Sequence, residues 1–203
     1  MAGSTDDWAV LDGHAAEAAP RLLGSLVVHE HPTEGRVGIR LTEVEAYQGP
    51  EDPGSHAHRG RTDRNQVMFG PPGHLYVYRI YGMHDCANIV CSPEGVGAGV
   101  LLRAGEVVEG LELARSRRPG ASDRDLARGP ARLARALGLD RSHGGTDLRV
   151  GPVTLHLAAE PAGPVLTGPR VGLRLAADFP WRFWVDGDPT VSPYRPAAPK
   201  RRR

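Results

Sequence analysis

Residues 35–47, Gly-Arg-Val-Gly-Ile-Arg-Leu-Thr-Glu-Val-Glu-Ala-Tyr, constrain this chain more than any other segment. Val37, Ile39 and Leu41 alternate with other positions, the period of a strand that buries one face. A sheet must therefore lie behind them. Past Leu41 the same alternation puts Glu43 and Glu45 where a strand should be apolar. Two carboxylates there are costly to bury without partners. Partial burial is also what tunes a carboxylate for chemistry. The segment reads either as an exposed strand end or as the seat of a functional acid, with Glu45 the first candidate.

The remaining chain supplies short elements around that strand. Asp12 can cap a helix carrying Ala15, Ala16, Ala19, Leu22 and Leu23, with a kink at Pro20. Strands are predicted at 24–29, 99–103, 153–157, 171–175 and 181–185, and a hairpin over 75–90 with Tyr81-Gly82-Met83 near its tip. A helix is predicted from Glu106 through Val107, Leu111 and Ala114 to Gly120. Ser122 and Asp125 form a capping-box pattern. Gly129-Pro130 opens a second helix through Leu133 and Leu137, which Gly138 stops. Residues 49–73 lose all periodicity, and so long a loop is unusual in a compact domain unless it is functional. The expected class is α+β: a single compact domain with a mainly antiparallel curved sheet and surrounding helices. Its expected limits are 11–195, after a flexible N-terminus over 1–10 and before a disordered basic tail over 196–203.

Composition narrows the function. No stretch approaches the roughly 20 apolar residues of a membrane span. The N-terminus is acidic and lacks an apolar core, so no secretory signal and an intracellular place are expected. Cys86 and Cys91 do not have a zinc-ribbon or redox spacing. The net charge is only +1, yet between residues 53 and 84 Arg59, Arg61, Arg64 and Arg79 face one acid, Asp63. Such a patch is either a solvated loop or a nucleic-acid surface. Of 25 basic residues only Lys200 is a lysine, and arginine cannot form a Schiff base.

Four of the five tyrosines, Tyr47, Tyr76, Tyr78 and Tyr81, fall within this same part of the chain. Tyr76 and Tyr78 share a strand face, as core tyrosines also would. Tyr81 at a hairpin tip fits a core poorly, and an exposed aromatic beside a flexible turn can wedge a base step apart. His56 and His58 with Glu45 could hold zinc, but the ligands would come from an irregular loop, so no metal is expected.

These residues together resemble a known family. Thr42-Glu-Val-Glu-Ala-Tyr47, Gly49-Pro-Glu-Asp52, His56, Arg64-Asn65, Met68-Phe69, Pro72-Gly73, Leu75-Tyr-Val-Tyr78, Ile80-Tyr-Gly-Met83, Asn88, Val100-Leu-Leu-Arg103, Gly129-Pro130 and Trp181-Arg-Phe183 are similar to the alkyladenine (3-methyladenine) DNA glycosylases. The resemblance implies a monofunctional enzyme that flips alkylated purines from duplex DNA and hydrolyses their bond to the sugar. It implies Glu45 as general base, with Arg103 placing the water or a phosphate near it. Tyr47, His56, Tyr78 and Asn88 would form the base pocket, and Tyr81 with Met83 would enter the duplex from a protruding hairpin. Arg59, Arg61 and Arg64 would contact phosphates. No cofactor is implied. The expected partner is double-stranded DNA with damaged bases, bound by a monomer away from membranes. The expected place is the cytoplasm, at the nucleoid, in a bacterium and the nucleus in a eukaryote. His84-Asp85 departs from the family, whose mammalian members are aromatic there. A non-catalytic nucleic-acid-binding domain and a zinc hydrolase at His56 and His58 are the alternatives.

Overall fold

The computed structural model describes residues 8–198. The expectations for the N-terminus over 1–10 and the tail over 196–203 therefore lie largely outside the described residues, as does Lys200. Within them, helix α1 (Ala15–Arg21) precedes strands β1 (Leu26–His31) and β2 (Gly35–Gln48). After the long loop come β3 (Leu75–Ile80), β4 (His84–Cys91) and β5 (Ala98–Glu109). Helices α2 (Leu111–Arg117) and α3 (Pro130–Leu137) follow, then β6 (Val153–His156), β7 (Val165–Gly168) and β8 (Arg182–Val185). Every pairing is antiparallel, in the order β3-β4-β5-β2-β1-β6, with β8 also on β2 and β7 on β8. The α+β single-domain expectation holds.

β2 is the axis of the sheet, and it changes face midway. Val37, Ile39 and Leu41 are buried in the main core, but the next core residues on β2 are Val44 and Ala46. The register with β5 slips between Leu41 and Glu43 and again between Glu43 and Val44. A bulge of this kind adds a residue and turns the following side chains over. The core side chains of β5 shift likewise, from Val100, Leu102 and Ala104 to Val107. At the same place β2 exchanges neighbours: residues 35–40 pair with β1, while 43–45 pair with β8. Glu43, Glu45 and Tyr47 are thereby turned away from the apolar core, as are Leu101 and Arg103 opposite them. The sequence alternation alone would have pointed the acids into it.

Below the sheet, α1 contributes Ala15, Ala18 and Ala19, and α3 contributes Leu133, Ala134, Ala136 and Leu137. Burying a leucine side chain is worth about 1.5–3 kcal/mol, so these faces hold both helices on the sheet. α3 matches its expectation, with Pro130 at its start and Gly138 in the left-handed conformation after its end.

Several expectations are corrected. His14, not Asp12, caps α1, through Nδ1 and the Ala16 amide, and Leu22 and Leu23 lie beyond its end. Residues 106–109 belong to β5 because they pair with 38–40 of β2, and the helix starts only after Gly110. That helix stops at Arg117, short of Gly120. Ser122 donates to the Asp125 carboxylate and caps no backbone amide. Besides the strand expected at 153–157, which forms as β6, residues 165–168 form β7, which was not expected. Residues 171–175 form no strand; the chain from 169 to 181 has neither helix nor strand.

β3 and β4 pair from Leu75↔Ile89 to Ile80↔His84, and the turn between them places Tyr81 at φ 52° and Gly82 at φ 72°. Both are left-handed, as a type I′ turn requires. Glycine takes that conformation freely, but a side-chain residue there costs about 1–2 kcal/mol. Tyr81 is 85% exposed and Met83 is 71% exposed, so neither offsets that strain by packing.

Gly110 separates β5 from α2 at φ +68°, and a Cβ there would sit 1.9 Å from the Arg36 carbonyl oxygen. Gly110→Ala combines backbone strain with a clash between β5 and β2. The expected loss is about 1–3 kcal/mol, read as a melting point lower by several degrees. A melting point equal to the parent's would show that the connection can relax.

Candidate active site

The side chains turned out of the core by the β2 bulge wall a cavity of about 450 Å³, a size suited to a small ligand or a single base. Glu45, Tyr47, His56, Tyr78, Asn88 and Arg103 all line it, with Tyr81 at its mouth. Residues from β2, β3, β4 and β5 and from the long loop thus converge on one site.

Glu43 and Glu45 are both fully buried, but in different surroundings. Glu43 Oε1 accepts from Arg103 Nε at 2.8 Å, Arg182 Nε at 2.6 Å and Ser192 Oγ at 3.1 Å. Its Oε2 accepts the Ser192 amide at 2.7 Å. This carboxylate is saturated and ties β2, β5, β8 and the segment after β8 together. Glu45 has fewer partners. Tyr47 Oη donates to Oε2 at 2.9 Å, the Val171 amide donates to Oε1 at 2.7 Å, and Arg103 Nε stands 3.5 Å from Oε1. Burial pushes the Glu45 pKa above the usual carboxylate value, with Glu43 adding to it, against Arg103, the Val171 amide and the Tyr47 hydroxyl. The terminal nitrogens of Arg103 have no hydrogen-bond partner among the described residues, and the side chain lines the cavity. They are free to engage a guest.

The opposite wall is aromatic. The rings of Tyr76 and Tyr78 stack at 5.6 Å, and His56 meets Tyr78 edge-on at 4.5 Å. Desolvation against the tyrosine wall, then the Arg64 charge, lowers the His56 pKa although the residue keeps an exposed side, and the neutral ring has one donor and one acceptor nitrogen. Burial and the neighbouring Cys86 thiol raise the Tyr78 pKa, leaving a neutral hydroxyl. Cys86 is itself pushed up to about 11 by burial, so it is no thiolate. Asn88 is buried on β4 and its amide donates to the Tyr76 carbonyl at 3.3 Å, which holds its orientation in the floor.

Other expected residues lie apart. Met83 lines a neighbouring groove rather than this cavity. Arg59, Arg61 and Arg64 are exposed on the long loop and none lines the cavity; Arg64 donates to the Arg79 carbonyl at 3.0 Å. His58 is held by the Pro50 carbonyl at 2.6 Å, away from His56, and no group of three His, Cys, Asp or Glu among the described residues is placed to hold a metal ion. Sequence reasoning missed Arg182 and Ser192, which saturate Glu43, and the Val171 amide on Glu45. It also missed Asp52 and Arg170, a fully buried pair behind Tyr47. Position in the chain gave no signal for them, because they sit 118 or more residues from their partners.

The chain matches the family model described as methylpurine-DNA glycosylase over residues 9–189. It is 58% identical over 194 residues to a protein of Streptomyces avermitilis, covering 92% of this chain and 90% of that one. It is 54% identical to one of Leifsonia xyli, covering 88% and 87%, and 47% identical to one of Burkholderia lata, covering 91% and 89%. All three are provisionally named 3-methyladenine DNA glycosylases.

A raised Glu45 pKa has a stability consequence. The folded state favours the protonated acid, a contribution complete below the unfolded carboxyl's pKa and lost as pH rises through the folded one. Glu45→Gln removes the buried charge and keeps the shape. The variant should melt above the parent at neutral pH, and the gap should close below about pH 4. Calorimetry across that range checks it; a variant that melts lower at neutral pH would mean that the carboxylate is welcome in its site.

Proposed function

The chain belongs to the methylpurine-DNA glycosylase family, and from that premise we propose that it is a monofunctional DNA glycosylase that releases alkylated purines from duplex DNA. The observation that carries the reading is Glu45: a buried carboxylate oriented by Tyr47 and the Val171 amide, in the wall of a tyrosine-lined cavity.

A base inside a duplex must leave the stack before its glycosidic bond can be reached, at a cost of a few kcal/mol. The exposed Tyr81 at the tip of the β3–β4 turn is suited to fill the vacated space, with Met83 beside it. Arg59, Arg61 and Arg64 would hold the phosphates. Exposed Arg132 at the cavity rim and Arg135 one helical turn on, neither with an ion-pair partner among the described residues, would extend that contact.

Alkylation at N3 or N7 makes a purine cationic. Against the faces of Tyr78 and Tyr47 such a base gains about 0.5–2 kcal/mol over a neutral one. The same positive charge makes it a good leaving group without protonation. The pocket therefore needs no strong acid, consistent with the neutral Tyr78, Cys86 and His56. Asn88 in the floor would exclude the amino group of normal guanine. As the bond breaks, the sugar acquires oxocarbenium character; the Glu45 carboxylate stabilises it and orients water, with Arg103 as second contact to the water or a phosphate. Products are a free base and an abasic site. The proposed substrates are 3-methyladenine and 7-methylguanine, with hypoxanthine and ethenoadenine to be tested beside them. The enzyme would act as a monomer on cytoplasmic DNA, and no described helix is long and apolar enough to cross a membrane.

Glu45→Gln should slow base release by about 10²- to 10⁴-fold while lesion binding is retained. Single-turnover assays on duplexes with one defined lesion measure it, and activity within threefold of the parent removes Glu45 from the mechanism. A binding domain without catalysis would be indifferent to the change. Strands should stay intact until alkali is added, and borohydride should trap no adduct, since the described residues contain no lysine.

Tyr81→Asn separates wedge from fold. Asparagine tolerates a left-handed backbone, so the melting point should hold or rise. Activity on a lesion in duplex should fall more than on the same lesion in a single strand, where no stack need be opened. Equal losses on both would assign Tyr81 to the pocket.

A further inference from the structure

The amide that orients Glu45 comes from a segment with no helix or strand to fix it, so something else must hold Val171 in place. The residue before it does. Arg170 is 1% exposed, and its guanidinium makes a two-pronged pair with Asp52, at 2.5 Å and 2.7 Å. Nη1 also donates to the Ala46 carbonyl at 2.9 Å, the residue between Glu45 and Tyr47. Asp52 is anchored in turn by the Gln48 amide at 3.2 Å and the Gly54 amide at 2.9 Å. The guanidinium carbon lies 4.6 Å from the centre of the Tyr47 ring and 5.3 Å from that of Trp181. Tyr47 lines the cavity and Arg170 does not.

We propose that the Asp52–Arg170 pair is a positioning device for Glu45. It pins the loop at residue 170 so that the Val171 amide meets Oε1, and it backs the Tyr47 ring so that the hydroxyl meets Oε2. Both neutral donors to the carboxylate are then set by one ion pair that never touches the substrate. This inference rests on the catalytic reading of Glu45.

The pair is a poor choice for stability alone. A buried ion pair is often no better than apolar residues of the same volume. Here the Arg170 Nε is also buried without a hydrogen-bond partner among the described residues, which opposes folding. A planar fork that fixes two stretches of backbone at once accounts for its presence; lysine, a point charge, could not do the same. The guanidinium also bridges two points where the loop and β2 must keep step, Ala46 on one side and Val171 on the other.

The test is the pH profile of base release. Glu45 is faced by Arg103 from β5, Glu43 and Tyr47 from β2, Tyr78 from β3 and the Val171 amide, with Arg182 of β8 on Glu43. None of these residues is replaced in Arg170→Lys or Asp52→Asn, and Arg170→Lys also keeps the positive charge beside Tyr47. Loss of an amide donor favours the protonated acid, so the acid limb of single-turnover base release should move to higher pH in Arg170→Lys, which keeps the charge. Asp52→Asn leaves the Arg170 cation without its counter-charge, which acts the other way on the limb, so that variant is read by its plateau rate. The plateau rate should fall by about tenfold to a hundredfold through misplacement of the carboxylate. Val171→Pro deletes the amide hydrogen directly and should move the limb the same way. In the Arg170→Lys, Val171→Pro double variant the effects should add to less than their sum, because both act on the Val171 hydrogen bond while Arg170→Lys also loosens the Tyr47 ring. A lower melting point with an unmoved acid limb would reduce the pair to a structural role and overturn the proposal. Where Val171→Pro does not fold, Arg170→Lys decides on the same limb. Failure of the underlying reading looks different: Glu45→Gln would leave the parent's rate and acid limb in place, and the positioning role would fall with it.

Discussion

Two carboxylates in the middle of a sheet can be buried only if the strand turns them away from the apolar core and cations meet them there. The bulge at Thr42–Glu43 does the first. It moves the core-facing set of β2 from Val37, Ile39 and Leu41 to Val44 and Ala46, and leaves Glu43, Glu45 and Tyr47 on the other side. Arg103 and Arg182 do the second, each reaching Glu43 from a neighbouring strand. The cavity follows, because its polar wall is the reverse of the core-forming face. The exchange of β1 for β8 at the same point brings Arg182 to the acids and sets the chain on course for Val171.

The same side-chain chemistry then divides into two roles through environment alone. Glu43 commits both oxygens to fixed donors and acts as a joint between strands. Glu45 keeps a weaker share of Arg103 and is held by two neutral donors, so it stays polarised toward the cavity without being neutralised by a tight ion pair. Two acids two residues apart thus end in different electrostatic surroundings, the recurring basis for assigning acid and base functions.

Several features of the site work against the stability of the domain. Glu45 is buried as an acid with a raised pKa, Tyr81 sits in a left-handed turn facing solvent, and the Arg170 Nε has no hydrogen-bond partner among the described residues. All three lie in the proposed machinery or one residue from it, and the apolar packing of α1 and α3 beneath the sheet supplies the margin that tolerates them. This is the usual pattern where a fold stores strain for function.

A large part of this molecule is written in local chemistry. Alternation over 35–41 demands a sheet, Gly129-Pro130 and Gly138 bound α3, and the clustering of tyrosines marks a stretch whose residues line the cavity, because each signal is carried by residues close in the chain. Family resemblance, spread over ordered short matches, determined the class of reaction to consider. Only the tertiary structure decided the face of the acids, since the break in alternation after Leu41 fits an exposed strand end as well as a bulge, and a bulge is a property of strand pairing. It also decided that 106–109 extend β5, because pairing with β2 outweighs a helical pattern, and that 171–175 are irregular. The partners of Glu43 and Glu45 from Arg182, Ser192 and Val171, and the Asp52–Arg170 pair, were likewise beyond reach of the sequence. Contacts between residues more than a hundred positions apart depend on how the chain folds back, and no local propensity encodes that.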